Sequence, residues 1–267
     1  MQPLLCIGAS AAAIEGPKDP GHIAASHRYL ARSLASQISA VTAGVNRENR
    51  EVLYSNEVLI ATATVVQHCL IPLDKEHLGS IADWFRCWWG VKTIATLSFK
   101  VLPGDAGALA YSFGIYARTA TTPERPRPSA CTFAFLLTGL PRMSTPHKAY
   151  KSYQRVAAFL DMSHSRRSRV LHGHFLVTAP SAFVRCVERC EPTALLLMGV
   201  YFGMTRIMDT PNVFDLSAEA DLRVILLYLP GIHKKLLKQA LDIIGTRGEG
   251  SYLSKPCQDV MTSLAPV

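Results

Sequence analysis

The sequence predicts an all-α fold: several helices around a shared interior in one globular regulatory domain. Two observations carry this. Apolar residues recur at three- and four-residue steps in segment after segment, the period of a helix with one buried face. Strand signals are nearly absent, and no alternation of strand and helix suggests a sheet. The composition agrees. Of 267 residues, 49% are hydrophobic and 18% charged, so core material is plentiful. The mean hydropathy of +0.16 is high for a soluble chain and points to an extensive interior, an internal apolar pocket or a covered partner surface.

The elements follow in order. Residues 22–45 carry Ile23, Leu30, Leu34, Ile38 and Val41 on one stripe, with Gly44 as the stop. Ser55 is placed to cap a helix over 56–70 that is apolar nearly all round, as central helices are, and Pro72 ends it. One long helix is predicted over 75–97, with Leu78, Ile81, Phe85, Trp88 and Ala95 on one face and Trp84, Val91 and Ile94 beside them. A shorter helix is expected near 108–117, before a proline-rich loop at about 120–130.

Beyond the loop, residues 130–137 could pass for an isolated strand. Helices are then predicted over 147–162, 181–190, 193–208, 216–229 and 236–244. Pro180 and Pro192 start two of them, Ser217 caps the fourth, and Pro230 and Gly231 break the chain before the last. The globular part spans 1–245, and 246–267 reads as a loose tail.

Several function classes lack support. The longest apolar stretches, residues 58–66 and 194–204, fall far short of the roughly 20 residues that cross a bilayer. The apolar N-terminus has no basic residue before it, so a secretory signal is not expected. The chain has no phosphate-binding glycine loop, no paired zinc-protease histidines and no nucleophile elbow. No catalytic residue, cofactor or metal site is assigned, and the protein is not expected to be an enzyme. The seven cysteines, Cys6, Cys69, Cys87, Cys131, Cys186, Cys190 and Cys257, are scattered, which suits free thiols. Cys186 and Cys190 are expected to share a helix face and to pack inertly. The net charge of +8 permits association with nucleic acid without requiring it, and the run Arg166, Arg167, Arg169 reads as a solvated face. His172 and His174, near His164, read as surface or capping residues. Asp209, Asp215, Glu219 and Asp221 read as carboxylates favouring a helix start.

Two groups remain as candidates. Leu196, Met198, Val200, Tyr201, Met204 and Met208 share an apolar helix whose thioethers and aromatics suit either ordinary core or an adaptable ligand pocket. Trp84, Trp88 and Trp89 are all the tryptophans of the chain and form either a bulky core seam or an interaction face.

The order of segments resembles a known family. LLCIGASAAAI (4–14), HIAASHRYLARSLASQI (22–38), SNEVLIATATVVQHCLIPL (55–73), EPTALLLMGVYFGMTRIMD (191–209) and VILLYLPGIHKKLL (224–237) are similar to successive helices in the regulatory domain of fungal-specific transcription factors of the Zn(II)2Cys6 type, particularly the sterol uptake control branch. The resemblance implies a nuclear regulator of RNA polymerase II transcription, with the cytoplasm as the alternative. It implies an apolar, sterol-like ligand near the C-terminal helices, and a homodimer or other transcription factors as partners. The six-cysteine zinc cluster does not occur in this sequence, so DNA contact would need a cluster outside it, and the domain is expected to be either N-terminally truncated or a standalone paralogue without the cluster. The segment from 104 to 147 and residues 210–214 depart from the family pattern. The alternatives are a helical interaction scaffold without ligand, or a helical enzyme of secondary metabolism.

Overall fold

The structure, a computed structural model, describes residues 1–16, 19–70, 74–101, 132–138, 147–166, 169–207 and 212–246. Every regular element among them is helical, as the periodicity requires. In chain order these are α1 (Gln2–Glu15), α2 (Pro20–Thr42), α3 (Arg50–Gln67), α4 (Lys75–Ser80), α5 (Asp83–Val101), α6 (His147–Arg166), α7 (Arg169–Thr178), α8 (Ser181–Glu188), α9 (Pro192–Ile207), α10 (Asn212–Tyr228) and α11 (Gly231–Thr246). Short 3-10 turns occupy His68–Leu70 and Ala134–Leu137. The second replaces the isolated strand considered for 130–137. The helix expected near 108–117, the proline-rich loop and the tail from 247 lie outside the described residues.

The chain divides into two compact units, Met1–Pro72 with Ser80–Arg125 and Gly173–Ala179, and Leu73–Gly79 with Pro126–His172 and Pro180–Val267.

In the first unit, α1 packs on α2, both meet α3, and α3 packs along α5. The Asp19 carboxylate accepts from the Gly21 amide at 2.8 Å and caps α2, with Pro20 in the first turn, where its missing N–H costs nothing. Gly44, at φ +108°, follows the end of α2 as the sequence suggests. The buried side of α2 departs from expectation. Ser26, Ser33 and Gln37 are its buried residues, while Leu34 and Ile38 are 41% and 65% exposed. The reason lies on the neighbouring helices, which bring polar groups to this seam. Ser10 of α1 and Gln67 of α3 hydrogen-bond the Ser26 hydroxyl at 2.7 and 2.8 Å, and Cys6 lies 3.5 Å from it. A polar seam satisfied internally can be buried at little cost.

Helix α3 begins at Arg50, so Ser55 lies inside it rather than capping it. It buries Leu53, Ile60, Ala61, Ala63, Val65 and Val66, the behaviour of a central helix. Gln37 of α2 spans this junction: its amide donates to the Leu53 carbonyl at 2.9 Å and its oxygen accepts from Asn56 at 2.6 Å. The Glu57 carboxylate beside it lies against Gly90 of α5, in the space a β-carbon would fill. Burial raises the Glu57 carboxyl above its ordinary range, and a hydrogen bond from Gln37 partly offsets this. The long helix expected over 75–97 is two helices, α4 and α5, broken at Ile81 and Ala82. Both of these residues are fully buried, so their apolar character marks a core corner and not a continuing helix.

In the second unit α9 is the axis. Helices α6, α8, α10 and α11 and the Ala134–Leu137 turn all pack on it. Pro180 and Pro192 stand at the starts of α8 and α9, as the sequence indicates. Helix α10 starts at Asn212, four residues before the expected start, which places the fully buried Ser217 inside the helix instead of at its cap.

Candidate functional site

Residues Thr193 to Thr205 of α9 are all buried, a consequence of a segment apolar on every side that must be enclosed on every side. Gly199 and Gly203, four apart and one turn from each other, form a groove along the helix. A β-carbon at Gly199 would lie 2.8 Å from Leu237 Cδ2, and one at Gly203 would overlap Leu241 Cδ2. Leu237 and Leu241 are themselves four apart on α11, so two side chains of one helix seat in two gaps of the other.

The expected lining residues are distributed around this helix. At 100° per residue Leu196, Val200 and Met204 form one stripe next to the glycine groove. Tyr201 flanks that stripe, and Met198 points to the opposite side. All five are buried, with relative exposure of 2% or less. Met208 lies outside the described residues. The Tyr201 ring meets Phe202 edge-on with centroids 5.6 Å apart, and burial holds its phenol well above the usual range. The stripe Leu196–Val200–Met204 is thus gathered on one surface of α9, and Met198 is not part of it.

The tryptophans separate as well. Trp84 is wholly buried in the first unit, with the His68 ring edge-on at 6.2 Å. Trp88 and Trp89 are half-buried, so they supply what exposed area that seam has.

Two polar nodes of the second unit were not assembled from the sequence. At the first, the Asp74 carboxylate accepts from the Glu76 and His77 amides at 2.9 and 3.0 Å and starts α4. His77 Nε2 then lies 2.8 Å from Asp221 Oδ1 of α10, both side chains fully buried. The reading of Asp221 as a helix-start carboxylate is corrected here, because α10 begins nine residues earlier. The partners are 144 residues apart, and nothing local in the chain marks them as a pair. Glu219 is also inside α10 and holds both Arg206 and Arg223.

The second node joins α6, α8 and the start of α9. Tyr153 donates its hydroxyl to Glu191 Oε2 at 2.7 Å. Burial, with Cys186 and Glu191 alongside, keeps the phenol protonated far above its ordinary range. Helix α8 ends in a Schellman turn: the Glu191 amide donates to the Cys186 carbonyl at 2.9 Å and the Cys190 amide to the Val187 carbonyl at 2.8 Å. Cys190 takes the left-handed position at φ +53°. The helix therefore stops before Cys190, and the two thiols do not share a helix face as the four-residue spacing suggested. Burial raises both thiols, so both carry their protons at neutral pH.

The histidine pair also divides. His174, expected at the surface or at a cap, is 4% exposed within α7. Burial and the nearby Lys92 ammonium push its imidazole below its ordinary value. The side chain of His172, and residue Asp209, lie outside the described residues.

No helix among the described residues is long and apolar enough to cross a membrane. The chain is similar to a protein of Gibberella zeae described as a Zn(2)-C6 fungal-type transcription factor, with 23% identity over 239 residues and 80% of this chain covered. That alignment takes in 46% of the relative, so the chain spans less than half of its length. No family model matches the chain. No solved structure matches it.

Proposed function

We propose that this chain is a helical regulatory module of the zinc-cluster transcription factor type, acting in the nucleus through other proteins and not through its own contact with DNA. The observation that carries the reading is the likeness to the Gibberella zeae transcription factor along 80% of the chain. The all-helical architecture is compatible with it. The cysteines of this sequence are too scattered to build a six-cysteine cluster, so recruitment to a promoter falls to a partner or to a cluster elsewhere. The test is chromatin immunoprecipitation of the tagged full chain. Enrichment at a set of promoters supports the reading, and a uniform genomic background overturns it.

A second reading, an apolar sterol-like ligand held on α9, is favoured by the stripe Leu196, Val200 and Met204 with Tyr201 beside it. Because Leu237 and Leu241 fill the adjoining groove, a ligand on that side would compete with α11 and shift the balance between docked and displaced α11. Native mass spectrometry of the chain incubated with a sterol extract reads this directly. Retained sterol that is lost on Met204→Asp supports it, whereas no retained mass removes it.

A further inference from the structure

Helix α2 is built inside out. Its buried residues are Ser26, Ser33 and Gln37, and the polar groups of Ser26 and Gln37 are met by α1 and α3. Its apolar residues face elsewhere. Leu34 and Ile38 are 41% and 65% exposed, His27 is exposed, and Ile23, Leu30 and Val41 are half-buried. At about 100° per residue these six lie within an arc of roughly 80°, so one straight helix carries them on one stripe. The stripe is centred roughly 80° from the buried side. Its residues carry no acid, lysine or arginine; Arg28 and Arg32 stand roughly 120° and 160° away around the helix. A helix that buries serine and turns leucine and isoleucine outward reverses the usual arrangement, and an apolar stripe of this kind marks an interaction face.

The spacing of the stripe says what fits it. From His27 through Leu30, Leu34 and Ile38 to Val41 the steps are three, four, four and three, the same read in either direction. We infer that the stripe pairs with the stripe of a second copy, the two α2 helices antiparallel about a two-fold axis at Leu34. A two-fold contact demands a surface complementary to itself, and a palindromic spacing supplies one. Leu34 then meets Leu34 of the other copy. Leu30 comes level with Ile38 of that copy, and His27 with Val41. Leu30 and Ile38 lie on opposite sides of the midline of the stripe, so level residues fall side by side and interdigitate. Charge is compatible with this occupant in a chain of net charge +8, because the arginines of both copies point away from the contact. The antiparallel pairing also sets the positive N-terminal end of each helix beside the negative C-terminal end of the other. A contact about 35 Å long and 10 Å wide buries roughly 700 Å² over both copies, less than the roughly 1,000 Å² of a stable dimer, so the pairing is reversible and belongs in the range of tens of micromolar. This contact is read from α2 alone and does not depend on the regulatory reading.

The experiment uses the full 267-residue chain in sedimentation velocity, from about 1 to 100 µM. The expected result is a sedimentation coefficient that rises from monomer toward dimer across that range. Leu34→Glu with Ile38→Glu keeps the chain monomeric throughout at unchanged Tm, since both side chains are exposed, and Arg28→Ser with Arg32→Ser leaves the association as it was. Register is read by cross-linking under mild copper-catalysed oxidation, with the wild-type chain and its seven cysteines as the baseline. Leu34→Cys gives a covalent dimer, whereas Ser36→Cys, exposed on the far side of α2, stays at the baseline. A monomer at every concentration, association that survives Leu34→Glu with Ile38→Glu, or equal cross-linking at positions 34 and 36 overturns the inference. So does a monomer that instead floats with phosphatidylcholine vesicles, which would assign the stripe to a bilayer.

Discussion

Leu241 of α11 occupies the space in which Gly203 of α9 would carry a β-carbon. The approach of the two helices is therefore set by a missing methyl group. Gly203→Ala adds helix propensity worth roughly 0.5–1 kcal/mol and an overlap costing roughly 1–3 kcal/mol, so a net loss of about 1–2 kcal/mol is expected. Gly8→Ala in α1 meets nothing within 4 Å and should stabilise by about 0.5–1 kcal/mol. Urea unfolding of both variants checks the signs. Equal shifts would mean that the glycine groove carries no packing role.

Cys190 holds a left-handed backbone that suits glycine better than any residue with a side chain. Cys190→Gly is expected to stabilise the chain by roughly 0.5–1 kcal/mol, the relief of strain outweighing the added freedom of the unfolded chain. A higher denaturation midpoint at an unchanged slope is the predicted readout.

Tyr153→Phe removes the hydroxyl that reaches Glu191 and keeps the ring, which meets Phe183 edge-on at 6.3 Å. The expected loss is about 1–2 kcal/mol, toward the lower end because Glu191 is partly exposed and water can replace the donor. The companion variant Glu191→Gln retains an acceptor and should cost less. A larger loss for Glu191→Gln would contradict the account of this node.

His174 gives the pH dependence. Burial and Lys92 lower its folded-state pKa below the ordinary value of 6.5. The unfolded chain then takes up a proton first as pH falls, so the contribution is present above about pH 6.5 and is lost as pH drops through the folded pKa. His174→Gln should flatten the decline of stability on the acid side of that value. His233, whose pKa burial also lowers, leaves a residual slope.

The sequence exposes α9 clearly because residues apolar on every side allow one placement, the middle of a unit, and Pro192 marks the start. It misleads at α2. Leu34 and Ile38 keep helical spacing yet face outward, because Ser10 and Gln67 on other helices make the opposite, polar face the better one to bury. The corner at Ile81 and Ala82 is hidden for a related reason: an apolar pair reads equally well as helix interior and as a buried turn. His77 and Asp221 are illegible, since each looks like a surface residue until the fold joins segments 144 residues apart. The residues expected to line a pocket are legible as a helix but not as a surface, because only the chain around α9 decides which side of it each residue meets.

The most direct test of the regulatory reading is a tethering assay in a filamentous fungus. The full chain is fused to a heterologous DNA-binding domain over a reporter gene, with nuclear level monitored. The account predicts a severalfold change in reporter expression relative to the DNA-binding domain alone. Unchanged expression at equal nuclear abundance would contradict it.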